Sequence, residues 1–301
     1  MRWEFISKSH SLEIKCHKQF GESSERIQEF VEKVFLNKQD LKQSFLASLD
    51  SRLNKGIYSC IDNNGVIVVA TTHQSPWHPH CIYVRLAFDL NRIDKDALKQ
   101  LIGYLKIIFD QPLLFLIDYR FKSLDHVLLD KGLQLFRKTE VITFHPQKRA
   151  MTTADYGVNA VSEIANERIL MHSLFELCKT IYTETHIDNP VGDFPLANWE
   201  SIIMEDLIKE FSYVVIEENK VIAFSLMYQV EEGKWELGWI GVENLSEIIL
   251  LDHLITMQLD DATKLGVVAI EKEVDSTCPY SLHIAESLSY EISETLYAFI
   301  S

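Results

Sequence analysis

Two stretches of the chain carry the same rhythm of apolar and polar positions. Between Tyr58 and His73, the runs YSCID and VIVVATTH flank Asn63-Asn64-Gly65, and between Tyr213 and Gln229, YVVIE and VIAFSLMYQ flank Glu218-Asn219-Lys220. Asn and Gly accept the positive φ of a tight turn, so each stretch predicts a β-hairpin. A third β-rich run comes after each hairpin, CIYVRLAF in the first half and WELGWIGV in the second. Next come amphipathic runs, DKDALKQLIGYLKIIF and SEIILLDHLITMQLDDATKLG. In the latter, Ile248, Leu251, Ile255 and Leu259 recur at helical spacing. Each half then predicts a buried strand (LLFLIDY, VVAIEKEV), a short helix (SLDHVLLDKGL, YSLHIAESL) and a closing strand (EVITF, TLYAFI). Helical runs also precede both hairpins: ERIQEFVEKVF in the first half, ERILMHSLFELCKTIYTE and WESIIMEDLIKEF in the second.

The two halves align without a gap at an offset of 155, residues 61–90 over 216–245. Six of those thirty positions are identical: Ile61/Ile216, Asn64/Asn219, Val66/Val221, Ile67/Ile222, Gln74/Gln229 and Leu90/Leu245. The shared order of elements says more than the identities do. At 301 residues the chain is long for one core. We therefore expect two domains, 1–148 and 157–301, divided at the polar linker PQKRAMTTADYG (146–157).

Helices, antiparallel strands, helix, strand, helix, strand is an order that resembles the GCN5-related N-acetyltransferase (GNAT) superfamily. The resemblance is strongest over Ser162–Ile300, in SYVVIEENKVIAFSLMYQ, WELGWIGV and GVVAIEKEV. It implies an α/β (α+β) protein of two tandem GNAT-like domains, each a mixed, mostly antiparallel sheet flanked by helices. The first would be a diverged, structural copy and the second the seat of any activity. By the same resemblance, acetyl-CoA would lie along Trp239, Ile240, Gly241 and Val242. Its diphosphate would meet the turn Glu247, Ile248, Ile249 and Leu250, where a helix start attracts anions. That turn departs from the family pattern, because Glu247 stands at the basic position and Ile248 and Leu250 at the glycine positions. Losing one charged hydrogen-bond donor costs about 1.5–3 kcal/mol, a tenfold to hundredfold loss in affinity. In the first half, DLNRIDKDALKQ offers Arg92 and no glycine.

The family's general base carries onto Glu236 and its acidic Tyr onto Ala285, which leaves Tyr290 as the candidate acid with Tyr297 nearby. The loop YTETHIDNPVGDFPLANW resembles an acceptor-side loop, placing Tyr182, His186 and Asp188 at the substrate, an amine or peptide amine. A non-catalytic binding or sensor protein on the same fold is the alternative, and a thermal shift with acetyl-CoA discriminates the two.

A formal charge of −15 argues against nucleic acid as a partner and suits a cationic substrate, or serves solubility alone. Five scattered cysteines without a CxxC pair argue for a reducing compartment. The opening residues lack a signal-peptide h-region, and no apolar run is long enough to cross a bilayer, so a cytoplasmic protein with no membrane partner is expected. HQSPWHPHC gathers His73, His78, His80 and Cys81, but Pro76 and Pro79 mark a hairpin loop and no second ligand cluster exists, so no metal is expected. Cys278 precedes Pro279 at a helix start, where a thiolate pKa can fall, with no His or Asp partner suggested by the sequence.

Overall fold

The computed structural model describes residues 12–17, 24–36, 39–89, 95–147 and 156–301. Arg92 and most of the expected linker lie outside them. The chain forms two compact units. Unit 1 comprises Met1–Arg137, Asn189–Gly192 and Leu296–Ser301; unit 2 comprises Lys138–Asp188 and Asp193–Thr295.

Unit 1 contains β1 (Glu13–His17), α1 (Ser24–Val34), α2 (Gln39–Asp50), β2 (Asn54–Asp62), β3 (Gly65–His73), β4 (Ile82–Phe88), α3 (Lys95–Ile108), β5 (Leu113–Asp118) and α4 (Asp125–Asp130). Strands β1 to β4 are antiparallel neighbours. Strand β4 joins β5 in parallel over three residues only, Ile82↔Leu113 to Val84↔Phe115. The sheet is mixed because a helix, α3, returns the chain to the same edge direction. Ala97, Leu98, Leu101, Ile102 and Leu105 form the buried stripe of α3.

The closing strand of this sheet is not the expected EVITF. The last residues of the chain supply it: β12 (Glu291–Ile300) pairs antiparallel with β5 from Leu296↔Asp118 to Ile300↔Leu114. Ser301 seals the pairing through its N–H to the Leu113 carbonyl, 3.0 Å. Phe299 is fully buried in the core of unit 1.

Unit 2 contains the end of β6 (Gln134–Phe144), β7 (Val158–Ala160), α5 (Val161–Ile164), α6 (Arg168–Thr185), α7 (Leu196–Met204), β8 (Tyr213–Glu217), β9 (Lys220–Glu231), β10 (Lys234–Val242), α8 (Ile249–Leu265), β11 (Ala269–Asp275) and α9 (Pro279–Ser287). Its strand order is β6-β11-β10-β9-β8-β7. EVITF therefore pairs with β11, from Ile270↔Phe144 to Asp275↔Thr139. Both expected closing strands form, but EVITF joins a strand of unit 2 and TLYAFI a strand of unit 1.

The second hairpin turns at Glu218 and Asn219, with φ of 47° and 63°. A two-residue loop with both φ positive matches the right-handed twist of its strands. The expected helix after β10 starts late: residues 245–247 form a 3-10 turn, and α8 begins at Ile249. Leu251, Ile255 and Leu259 are buried as their spacing predicts, whereas Ile248 is half-buried ahead of the helix. Gly266 ends α8 at φ 72°, a left-handed cap that costs glycine no Cβ clash.

Candidate functional site

Strand β10 is where unit 2 departs from a regular sheet. It pairs in parallel with β11 at Lys234↔Ala269, Trp235↔Ile270 and Glu236↔Glu271, and then the two strands part. Strand β11 stays in the sheet through β6 on its far side. Strand β10 stays through β9, but with a break in register: Leu237 faces Met227 and Ile240 faces Ser225. Gly238 and Trp239 are thus a bulge opposite Leu226. Bulges twist a strand and re-aim its side chains, and they concentrate near sites.

Glycine is required at the bulge by contact. A Cβ on Gly238 would lie 2.5 Å from the Tyr228 ring. That ring is held by its hydroxyl, which donates to the Ile203 carbonyl at 3.1 Å. Burial raises the Tyr228 pKa, helped by Cys178 and by Glu236, which faces it across the strands.

Trp239, the second bulge residue, is re-aimed toward α6 and α7. It stacks on Tyr182 with centroids 5.1 Å apart and meets Trp199 edge-on at 6.1 Å. His186 also stacks on Tyr182, at 3.9 Å, and its Nδ1 donates to the Tyr182 carbonyl at 2.8 Å. Trp199, 1% exposed, anchors the cluster.

Past the parting, side chains meet the β10 carbonyls. Lys272, the first β11 residue beyond the paired stretch, donates from Nζ to Gly238 O at 2.9 Å. It is 6% exposed. Burial lowers its pKa, while Cys278, Glu273, Glu236 and Asp275 act in the opposite direction. Tyr280, buried in the first turn of α9, points its hydroxyl at Val242 O, 3.5 Å away. Burial raises its pKa, with further contributions from Glu184 and Cys278.

The structure thus brings together Glu236, Trp239, Tyr182 and His186 around the bulge. Ile240, Gly241 and Val242 are buried along β10. Asp188 and Tyr290 are exposed, Asp188 beyond α6 and Tyr290 between α9 and β12. At the turn, Glu247 and Ile249 are exposed and Leu250 is buried. Sequence reasoning did not single out Lys272, Tyr280, Tyr228 or Trp199. A signal for Lys272 was present, since alternation in VVAIEKEV puts residue 272 on the inward face with Ile270 and Val274.

The fit to acetyl-CoA differs between its two parts. A strand parted from its neighbour suits a pantetheine arm, because the arm pairs with backbone. The helix start does not suit a diphosphate. The Ser246 N–H donates to Asn244 Oδ1 at 3.1 Å, and those of Glu247, Ile248 and Leu251 donate to the carbonyls of Asn244, Leu245 and Ile248. These donors are consumed within the turn, and Glu247 adds a negative charge.

In unit 1, β4 and β5 part after an equally short parallel stretch, but β4 pairs with β3 in unbroken register from Val68↔Phe88 to His73↔Tyr83. It has no bulge. His73 stacks on Tyr83 at 5.0 Å, and burial, then Arg85, lowers its pKa to about 4. His78 Nδ1 donates to the Asn189 carbonyl at 2.8 Å. Among the described residues no three His, Cys, Asp or Glu side chains converge as metal ligands, and no helix is long and apolar enough to cross a membrane. The cysteines are free thiols.

No family model and no curated protein matches the sequence. Solved structures do match the fold. A GCN5-related N-acetyltransferase from Sphaerobacter thermophilus superposes with a TM-score of 0.60 at 12% identity, over 96% of this chain and 95% of that one. A glucosamine N-acetyltransferase region of a fungal multi-domain beta-N-acetylglucosaminidase gives 0.59 at 9% identity, over 97% of this chain and 38% of the other. A tandem GNAT protein from the clavulanic acid biosynthesis pathway gives 0.53 at 9% identity, over 96% and 98%. The chain has the GNAT fold in tandem form.

Proposed function

We propose that unit 2 transfers an acetyl group from acetyl-CoA to an amine. One observation carries this: β10 parts from β11 after three paired residues and bulges at Gly238-Trp239. The combination offers a thioester arm a strand edge. Fold alone would not suffice, because one fold hosts many functions.

In this reading the amine nitrogen attacks the thioester carbonyl, the C–N bond forms, the C–S bond breaks and the thiolate leaves. Glu236 takes the amine's proton through water, and Trp239, Tyr182 and His186 form the wall on the acceptor side. The −15 formal charge draws a cationic amine toward the protein. Unit 1, whose β4 pairs in unbroken register, serves a structural role. Because the Ser246, Glu247, Ile248 and Leu251 amides are bonded within the turn and Glu247 is acidic, affinity comes from the arm rather than from the diphosphate.

A thermal shift tests the reading. At 100 times Kd, a bound ligand adds about 2.7 kcal/mol, a rise of several degrees for a domain of this size. The expected result is such a rise with acetyl-CoA. No rise up to millimolar acetyl-CoA overturns the transferase reading and leaves a binding protein on this fold.

A further inference from the structure

The parting of β10 and β11 is not lined by backbone alone. At its apex stands Lys272, buried, on the residue directly after the last paired position Glu271. An ammonium carries three N–H donors and no acceptor. Among the described residues, one carbonyl accepts from it, Gly238 O at 2.9 Å. A buried charge with a single hydrogen bond is costly to maintain, and a structure keeps such a group where a ligand or a reaction uses it.

The donor set dictates the chemistry of the partner. Whatever meets the remaining N–H groups must present oxygen lone pairs. A protonated amine is repelled, so the acceptor substrate does not enter by this apex. The height along the strand is fixed as well, because the accepting carbonyl belongs to the bulge, two residues from Glu236 and next to Trp239. Glu236, Glu273 and Asp275 supply nearby negative charge.

We propose that Lys272 binds the acyl carbonyl oxygen of the thioester substrate, holding it at the bulge between Glu236 and the aromatic wall. This rests on the acetyl-transfer reading and adds a residue to it. As the nitrogen attacks, negative charge grows on that oxygen, and the ammonium is placed to stabilise it. Burial also brings the lysine pKa down, which makes this N–H a stronger donor.

Titration calorimetry with acetyl-CoA and with S-ethyl-CoA, in which the carbonyl is a methylene, separates the two ideas. The wild-type chain should bind the thioester about tenfold to a hundredfold more tightly than the thioether. Lys272→Met should lower acetyl-CoA affinity to the thioether's level and leave S-ethyl-CoA affinity unchanged. Equal binding of both compounds by the wild type, or a thioester preference kept by Lys272→Met, overturns the role of Lys272 while the acetyl-CoA reading stands. Binding of neither compound by the wild type sinks that reading and this proposal together. The wild-type comparison holds even if the variant does not fold.

Discussion

Glu236 sits half-buried on β10, opposite Tyr228 on one side and Glu271 on the other. A positioned general base contributes about 10²–10⁴-fold to a rate. Glu236→Gln should therefore cut acetyl transfer by that factor while the thermal shift with acetyl-CoA persists. A rate within threefold of wild type, roughly 0.7 kcal/mol, would remove the base from the mechanism. His73 makes a second prediction at this scale. Its pKa is about 4 when folded, below the ordinary 6.5. Between those values the unfolded chain holds a proton that the folded one does not. Stability is then full above pH 6.5 and declines as pH falls through 4. His73→Gln should shrink the loss in chemical-denaturation midpoint between about pH 7 and pH 4.5, and an unchanged loss would assign the acid sensitivity elsewhere. Residue roles were only partly legible in the sequence. Glu236 stood out through a matching strand, whereas Lys272 did not, because its significance lies in the company it keeps: a lysine is ordinary until its neighbours bury it.

Elements were more legible than residues. Hairpin turns, the third strands and the core stripe of α8 come directly from apolar spacing and from residues that tolerate positive φ. The parting of β10 from β11 and the bulge are invisible to that spacing, since they depend on how far two strands stay paired. The bulge nonetheless has a sequence cause in Gly238. A side chain there would meet the Tyr228 ring at 2.5 Å. Overpacking of this kind costs about 1–3 kcal/mol. Gly238→Ala should lose stability by that amount in urea denaturation, and adding Tyr228→Leu should recover part of it, as coupled neighbours do. Additive losses in the double variant would mean that the ring is not what excludes a Cβ. At the helix start, the acidic Glu247 and the missing glycines were legible in the sequence; that the amides of Ser246, Glu247, Ile248 and Leu251 are bonded within the turn was not.

Across the whole molecule, the order of elements revealed two related units, while the partners of their closing strands stayed hidden. EVITF and TLYAFI are both short and β-rich, and nothing local in either names the strand it will join. Phe299 reports on the outcome, being fully buried in unit 1's core and in register with Phe115 on β5. Phe299→Ala should cost about 3–5 kcal/mol and speed amide hydrogen exchange along Leu114–Asp118. Unchanged exchange there would contradict the pairing of β12 with β5. The proposed chemistry depends on what β10 and β11 admit between them. A crystal structure of the chain soaked with acetyl-CoA measures this most directly. The expected result is density for the arm between residues 237–242 and Lys272–Tyr280, with its thioester oxygen at Lys272 Nζ. The contradicting result is Lys272 and Tyr280 unmoved on the Gly238 and Val242 carbonyls, with no density along β10.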